Sequence, residues 1–78
     1  MANNTPALPT ENFRMALASI DQYPPKDQVI ILLKSAVEIM ENMKTLERTQ
    51  QDRHIAVGIT DLEKITSWWL AMIAKKLL

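Results

Sequence analysis

A chain of 78 residues without cysteine accommodates one domain at most and excludes a disulfide framework or thiolate metal sites. Nine basic residues balance nine acidic ones, so no bulk field recruits a DNA or RNA polymer. Apolar residues reach 47% while glycine occurs once and turn formers thin out after the first third, which predicts an all-α protein.

Residues 1–9 are polar and proline-containing, and are expected to form a flexible N-terminal arm; residues 10–78 are expected to form a single helical hairpin domain. The start has neither the basic stretch nor the apolar core of a signal peptide, and no apolar run approaches the ~20 residues of a membrane span. A cytoplasmic protein without membrane partners is expected. Thr10 is placed to cap a short first helix, with Glu11 in its first turn. Phe13, Leu17 and Ile20 give that helix one narrow apolar stripe, and Tyr23-Pro24-Pro25 ends it.

Pro25 suits the first position of a second helix. There Val29, Leu33, Ala36, Met40 and Met43 alternate by four and three, with Ile30, Ile31 and Val37 widening the surface. Met40, Met43 and Met72 are read as core fillers. Polar residues gather toward Thr49-Gln50-Gln51, after which Asp52 is expected to cap a third helix; one continuous helix through Arg48 to Asp52 is the competing reading. The third helix carries Leu62, Ile65, Trp69 and Met72 on one stripe, with Gly58 one turn earlier on the same face. Ile55, Ile59, Leu70, Ile73 and Leu77 add apolar surface around it. Laid antiparallel, the two long helices form a hairpin with apolar residues on more than one side, a surplus that predicts a homo-oligomer.

Signatures of catalysis are sparse. His54 is the only histidine, no HExxH pair or glycine-rich phosphate loop occurs, and Asp61 and Glu63 face different sides of a helix. No enzyme, no cofactor and no metal site are expected. Arg53, Gly58 and Thr60 are more suggestive: a guanidinium forks two bonds to a phosphate, a hydroxyl donates one, and amides at a helix start favour an anion. The structural alternative has Arg53 solvated, Gly58 admitting a neighbouring helix and Thr60 bonded back to its own turn. Tyr23 and Lys26 flank the double proline, where a ring can stack on a base and an ammonium meet a phosphate; alternatively Tyr23 staples the turn beside a solvated lysine. Phe13 and Arg14 repeat the pairing, with Phe13 also fitting a core position. Trp68 and Trp69 diverge by about 100° on a helix, so one can fill the hairpin while the other meets a subunit. Trp68 to Leu78, with Lys75 and Lys76, also has the make-up of a membrane-surface segment, but its few charges favour oligomer packing.

The stretch from Asp52 to Lys75 resembles a small phage family. The matching residues are Asp52-Arg53, then Ala56-Val57-Gly58-Ile59-Thr60-Asp61-Leu62-Glu63, Trp68-Trp69, and Met72-Ile73-Ala74-Lys75; upstream, Arg14, Tyr23-Pro24-Pro25 and Lys34 match more loosely. The pattern is similar to the anti-CBASS cyclic-nucleotide sponges, whose helical hairpin is shared with some anti-Thoeris sponges. The resemblance implies a phage-encoded homohexamer that sequesters cyclic di- and trinucleotide messengers without cleaving them, so that the host's defence effector stays silent. It implies ligand-binding roles for Tyr23, Lys26, Arg53 and Thr60, with Phe13 and Arg14 as further candidates. His54 stands where many relatives have tryptophan, the turn near Gln50-Gln51 is shorter, and Lys75-Lys76 replaces arginine; these departures bear on ligand choice. The alternative from the residues alone is an oligomeric helical adaptor that docks a partner protein through an apolar helix face.

Overall fold

The computed structural model describes residues 8–9, 12–44 and 49–78, and every regular element among them is helical. The order is α1 (Arg14–Leu17), a 3-10 helix (Ile20–Gln22), α2 (Pro25–Met43) and α3 (Gln50–Ala74). The expected Thr10 cap with Glu11, and residues 1–7 of the expected arm, lie outside the described residues.

The first helix starts later than its apolar stripe suggests. Asn12 has φ 52°, a left-handed conformation that asparagine tolerates better than most residues and that a right-handed helix cannot pass through. Phe13 then occupies the N-cap position without a side-chain cap of its own. The missing acceptor comes from α2 instead. Glu38 accepts from the Phe13 amide at 2.6 Å and from the Arg14 amide at 3.4 Å, across 25 and 24 residues of chain. Beyond Leu17 the expected single helix is divided, because Ser19 at φ −129°, ψ 33° leaves helical geometry before the 3-10 turn begins. Tyr23 is extended, as a residue before proline should be, and Pro24 and Pro25 start α2 with Pro25 at its first position.

Ala16, Tyr23 and Ile31 form a buried cluster, with Leu8, Phe13, Leu17 and Ile20 packed against it. Leu8 belongs to the stretch expected to be a flexible arm, yet it packs here. Ile31 is the most enclosed large side chain, fully shielded from solvent. At about 25 cal/mol per Å², burial of this kind is the main force holding α1 onto α2.

Between the long helices the backbone leaves helical geometry at Lys44 (ψ 142°) and Thr49 (ψ 170°), which excludes one continuous helix. Thr49 is the N-cap of α3, and Asp52 serves three positions on rather than capping directly. The Thr49 amide donates to Asp52 Oδ2 at 3.2 Å, while the Asp52 amide donates to Thr49 Oγ1 at 3.4 Å, a reciprocal capping box.

Two contacts give the direction of the long helices. Trp69 Nε1 donates to the Lys26 carbonyl at 3.0 Å, and Met40 Cε lies against Gly58, so α3 runs back along α2. On α3 the buried positions are Asp52, Ile55, Ile59 and Thr66, with Leu62 and Trp69 half-buried. The packed stripe is therefore rotated from the expected one, and Ile65 is 48% exposed. Thr66 can be buried because its hydroxyl donates to the Leu62 carbonyl at 2.7 Å. On α2, Ile30, Ile31 and Ser35 are buried whereas Met43, read as core, is exposed. That helix packs on α1 as well as α3, so its buried surface spreads beyond one seam.

The molecule measures 53 × 27 × 16 Å. Arg53, Val57, Thr60, Lys64 and Trp68 along α3 are all exposed. One side of α3 is left facing outward.

Candidate functional site

Each residue turns the helix by about 100°, which brings Arg53, Val57, Thr60 and Lys64 into one narrow sector opposite Ile55, Ile59 and Leu62. All four are exposed. A shallow groove on this face is lined by Ala56, Val57, Thr60, Asp61 and Lys64. Arg53 lies just before it, one turn into the helix, where its amide donates to the Thr49 carbonyl at 3.3 Å. Among the described residues the one ion pair joins Lys44 to Glu41 at 3.4 Å, so Arg53 and Lys64 have no carboxylate partner there. Lys64 was not among the residues that the sequence singled out; its place eleven residues after Arg53, three full turns on, was the available signal.

Two details differ from the expected phosphate site. The start of α3 is not an open set of amides, because the capping box engages the Asp52 amide and places a carboxylate there. A free anion at the helix tip would therefore meet that carboxylate. Thr60 Oγ1 donates to the Ala56 carbonyl at 3.0 Å, as the structural alternative had it. Its oxygen can still accept, and it donates outward only by giving up that bond.

The chain matches no protein-family model, no curated protein and no solved structure.

Of the remaining candidates, Tyr23 and Lys26 lie at the opposite end of the paired helices, while the Phe13 and Arg14 amides meet Glu38, near the Met40 that faces Gly58. Lys26 is exposed in the first turn of α2, beside Trp69. Its Nζ donates to the main-chain oxygen of Leu78. Tyr23, by contrast, is only 7% exposed and its ring belongs to the core cluster, so in the single chain it staples the turn and offers no open face for stacking. Gln28 Nε2 reinforces that turn by donating to the Tyr23 carbonyl at 2.8 Å. Phe13 also packs against the cluster, while Arg14 is exposed. From Arg53 to Trp69 the axis of α3 advances about 24 Å, so Lys26 and Arg53 do not meet at one phosphate within a chain.

Trp68 and Trp69 diverge as their adjacency requires, with ring centroids 6.0 Å apart and planes at 52°. Trp69 turns toward α2, and Trp68 is 53% exposed. Gly58 faces the Met40 side chain: a Cβ there would lie 2.7 Å from Met40 Cε. The glycine thus makes room for a core side chain and not for a ligand. Among the described residues no group of three or more His, Cys, Asp or Glu could hold a metal ion, and no helix is long and apolar enough to cross a membrane.

Proposed function

We propose that this protein is a non-catalytic sponge, a phage anti-defence protein that binds cyclic di- and trinucleotide messengers in the host cytoplasm and so blocks CBASS immunity. The observation that carries the reading is the open face of α3, where Arg53 and Lys64 flank Thr60 without a carboxylate partner among the described residues. Cations left unpaired beside a hydroxyl suit an external phosphate, and arginine binds it through two parallel bonds. The likeness of Asp52 to Lys75 to the sponge family supplies the identity of that phosphate. Lys26 and Arg14 provide further charge, while Tyr23 and Phe13 hold the segments that carry them.

The protein acts in this reading as a helical hairpin assembled into a homo-oligomer, a hexamer by resemblance. Two observations support assembly. Val57, Ile65, Trp68 and Leu70 on α3, and Leu32 and Ile39 on α2, are large apolar side chains left exposed. The separation of Lys26 from Arg53 also makes a ligand that touches both one shared between copies. The same exposed side chains favour a second reading, an oligomeric adaptor that docks a partner protein.

The test is a bind-and-release assay with a panel of cyclic di- and trinucleotides. Free ligand is quantified by chromatography before and after heat denaturation of the protein. A sponge removes its ligand from solution and returns it intact. Recovery of linear product identifies a hydrolase instead, and a free-ligand level that never falls moves the assignment to the adaptor. Arg53→Ala and Thr60→Ala are expected to weaken capture while sedimentation shows the oligomer unchanged.

A further inference from the structure

Lys26 is gripped at both its main chain and its side chain by the C-terminal end of α3 and the residues after it. Trp69 donates its indole N–H to the Lys26 carbonyl at 3.0 Å. The ammonium of Lys26 donates to the main-chain oxygen of Leu78, which lies 52 residues away in sequence. The second contact requires the chain to double back after α3. It does so through a pair of bonds in which the Lys76 amide donates to the Ile73 carbonyl and the Leu77 amide to the Met72 carbonyl, each at 3.0 Å. That pattern is a Schellman turn, and its pivot needs a left-handed residue, most often glycine. Here the pivot is Lys76 at φ 59°, a conformation that an L side chain disfavours. The turn thus combines a specific bonding pattern with a backbone that resists it.

We infer that residues 75–78 form a latch whose Leu78 main-chain oxygen occupies the binding position of the Lys26 ammonium, and that a phosphate reaches Lys26 by displacing it. This rests on the sponge reading for the identity of the incoming anion, but the latch itself is a property of the chain. The Leu78 oxygen satisfies Lys26 while the turn is closed, and a phosphate oxygen competes with it for the same ammonium. Trp69 is a positioning residue: it keeps the first turn of α2 beside α3 whether the latch is closed or open. Leu77 and Leu78 are 65% and 43% exposed, so opening the turn uncovers little apolar surface. Apparent affinity at Lys26 is then the intrinsic affinity reduced by the closed fraction.

The experiment follows three variants of the full chain, with acylation of Lys26 by a soluble amine-reactive reagent as the readout and Lys64 as internal control. Termination after Lys76 removes the latch oxygen. Lys76→Pro keeps every following residue but removes the Lys76 amide and forbids a positive φ. Lys76→Gly relieves the left-handed pivot and so tightens the latch. Expected rates of Lys26 acylation rise roughly two- to tenfold in the first two variants and fall in the third, the range a single hydrogen bond supports. Equal rates across the series, or a change of the same sign in all three, would overturn the latch.

The same proteins are then titrated with the same panel of cyclic di- and trinucleotides. Binding that strengthens in the order Lys76→Gly, wild type, truncated chain joins the latch to the messenger site. Affinities that do not vary while acylation does show that Lys26 is latched but takes no part in binding, and overturn the proposed displacement. If no variant binds any cyclic nucleotide, the sponge reading fails while the acylation series still decides the latch.

Discussion

The two faces of α3 are built from similar residues and have opposite uses. Ile55, Ile59, Leu62, Thr66 and Trp69 face α2, and even the threonine among them is satisfied internally. Arg53, Val57, Thr60, Lys64 and Trp68 face away, mixing large apolar groups with cations that the fold does not use. Hydropathy alone does not separate the faces, because valine and tryptophan sit on the outer one and threonine on the inner. What separates them is burial: the inner face packs against α2, and the outer face is open to solvent.

The comparison breaks most sharply with paired truncations. Ile59→Ala should cost about 2–5 kcal/mol in urea unfolding, as buried isoleucine deletions do, whereas Val57→Ala should fall within about 0.5 kcal/mol of wild type. A large loss from Val57→Ala, concentration-dependent, would show the outer face buried between copies.

Next in size is Glu38→Ala, which removes both acceptors at the start of α1. About 1–2 kcal/mol is expected, with amide exchange accelerating at Phe13 and Arg14 before it changes in α3. Thr49→Ala should cost about 1 kcal/mol by removing the acceptor of the capping box, read as a fall in the thermal midpoint. The smallest effect is expected at Gly58→Ala. Alanine gains about 1 kcal/mol of helix propensity, and the flexible end of Met40 must shift to admit the new methyl, leaving a net change near zero. A strong destabilisation there would mean that Met40 is locked and cannot yield.

The helical class and the ends of α2 at Pro25 and α3 near Asp52 were legible because proline, the polar run and the apolar spacing each carry a local signal. The rotation of the packed stripe was not. A spacing of four and three fits Ile55-Ile59-Leu62-Thr66-Trp69 as well as Leu62-Ile65-Trp69-Met72, and counting apolar residues favours the second. Thr66 and Ser35 were invisible as buried positions because a hydroxyl scores as polar; Thr66 bonds within its own helix, whereas the buried Ser35 Oγ has no hydrogen-bond partner among the described residues. The Glu38 cap on α1 joins residues 24 and 25 positions apart, beyond the reach of any local pattern. For the site, the outward Arg53 and Thr60 followed from type and spacing, while the burial of Tyr23 depended on Ala16 and Ile31 closing over it.

The adjacent tryptophans have a practical consequence. Trp69 is half-buried with its indole bonded to the Lys26 carbonyl, while Trp68 stands exposed with its ring centroid 6.0 Å away. The molecule therefore carries two optical reporters with separate addresses. Iodide quenching and the red edge of the emission follow Trp68 and respond when the outer face is covered. The blue edge follows Trp69 and responds when the start of α2 is disturbed. With one Trp→Phe exchange at a time, assembly and events at Lys26 become two signals from an otherwise unlabelled protein.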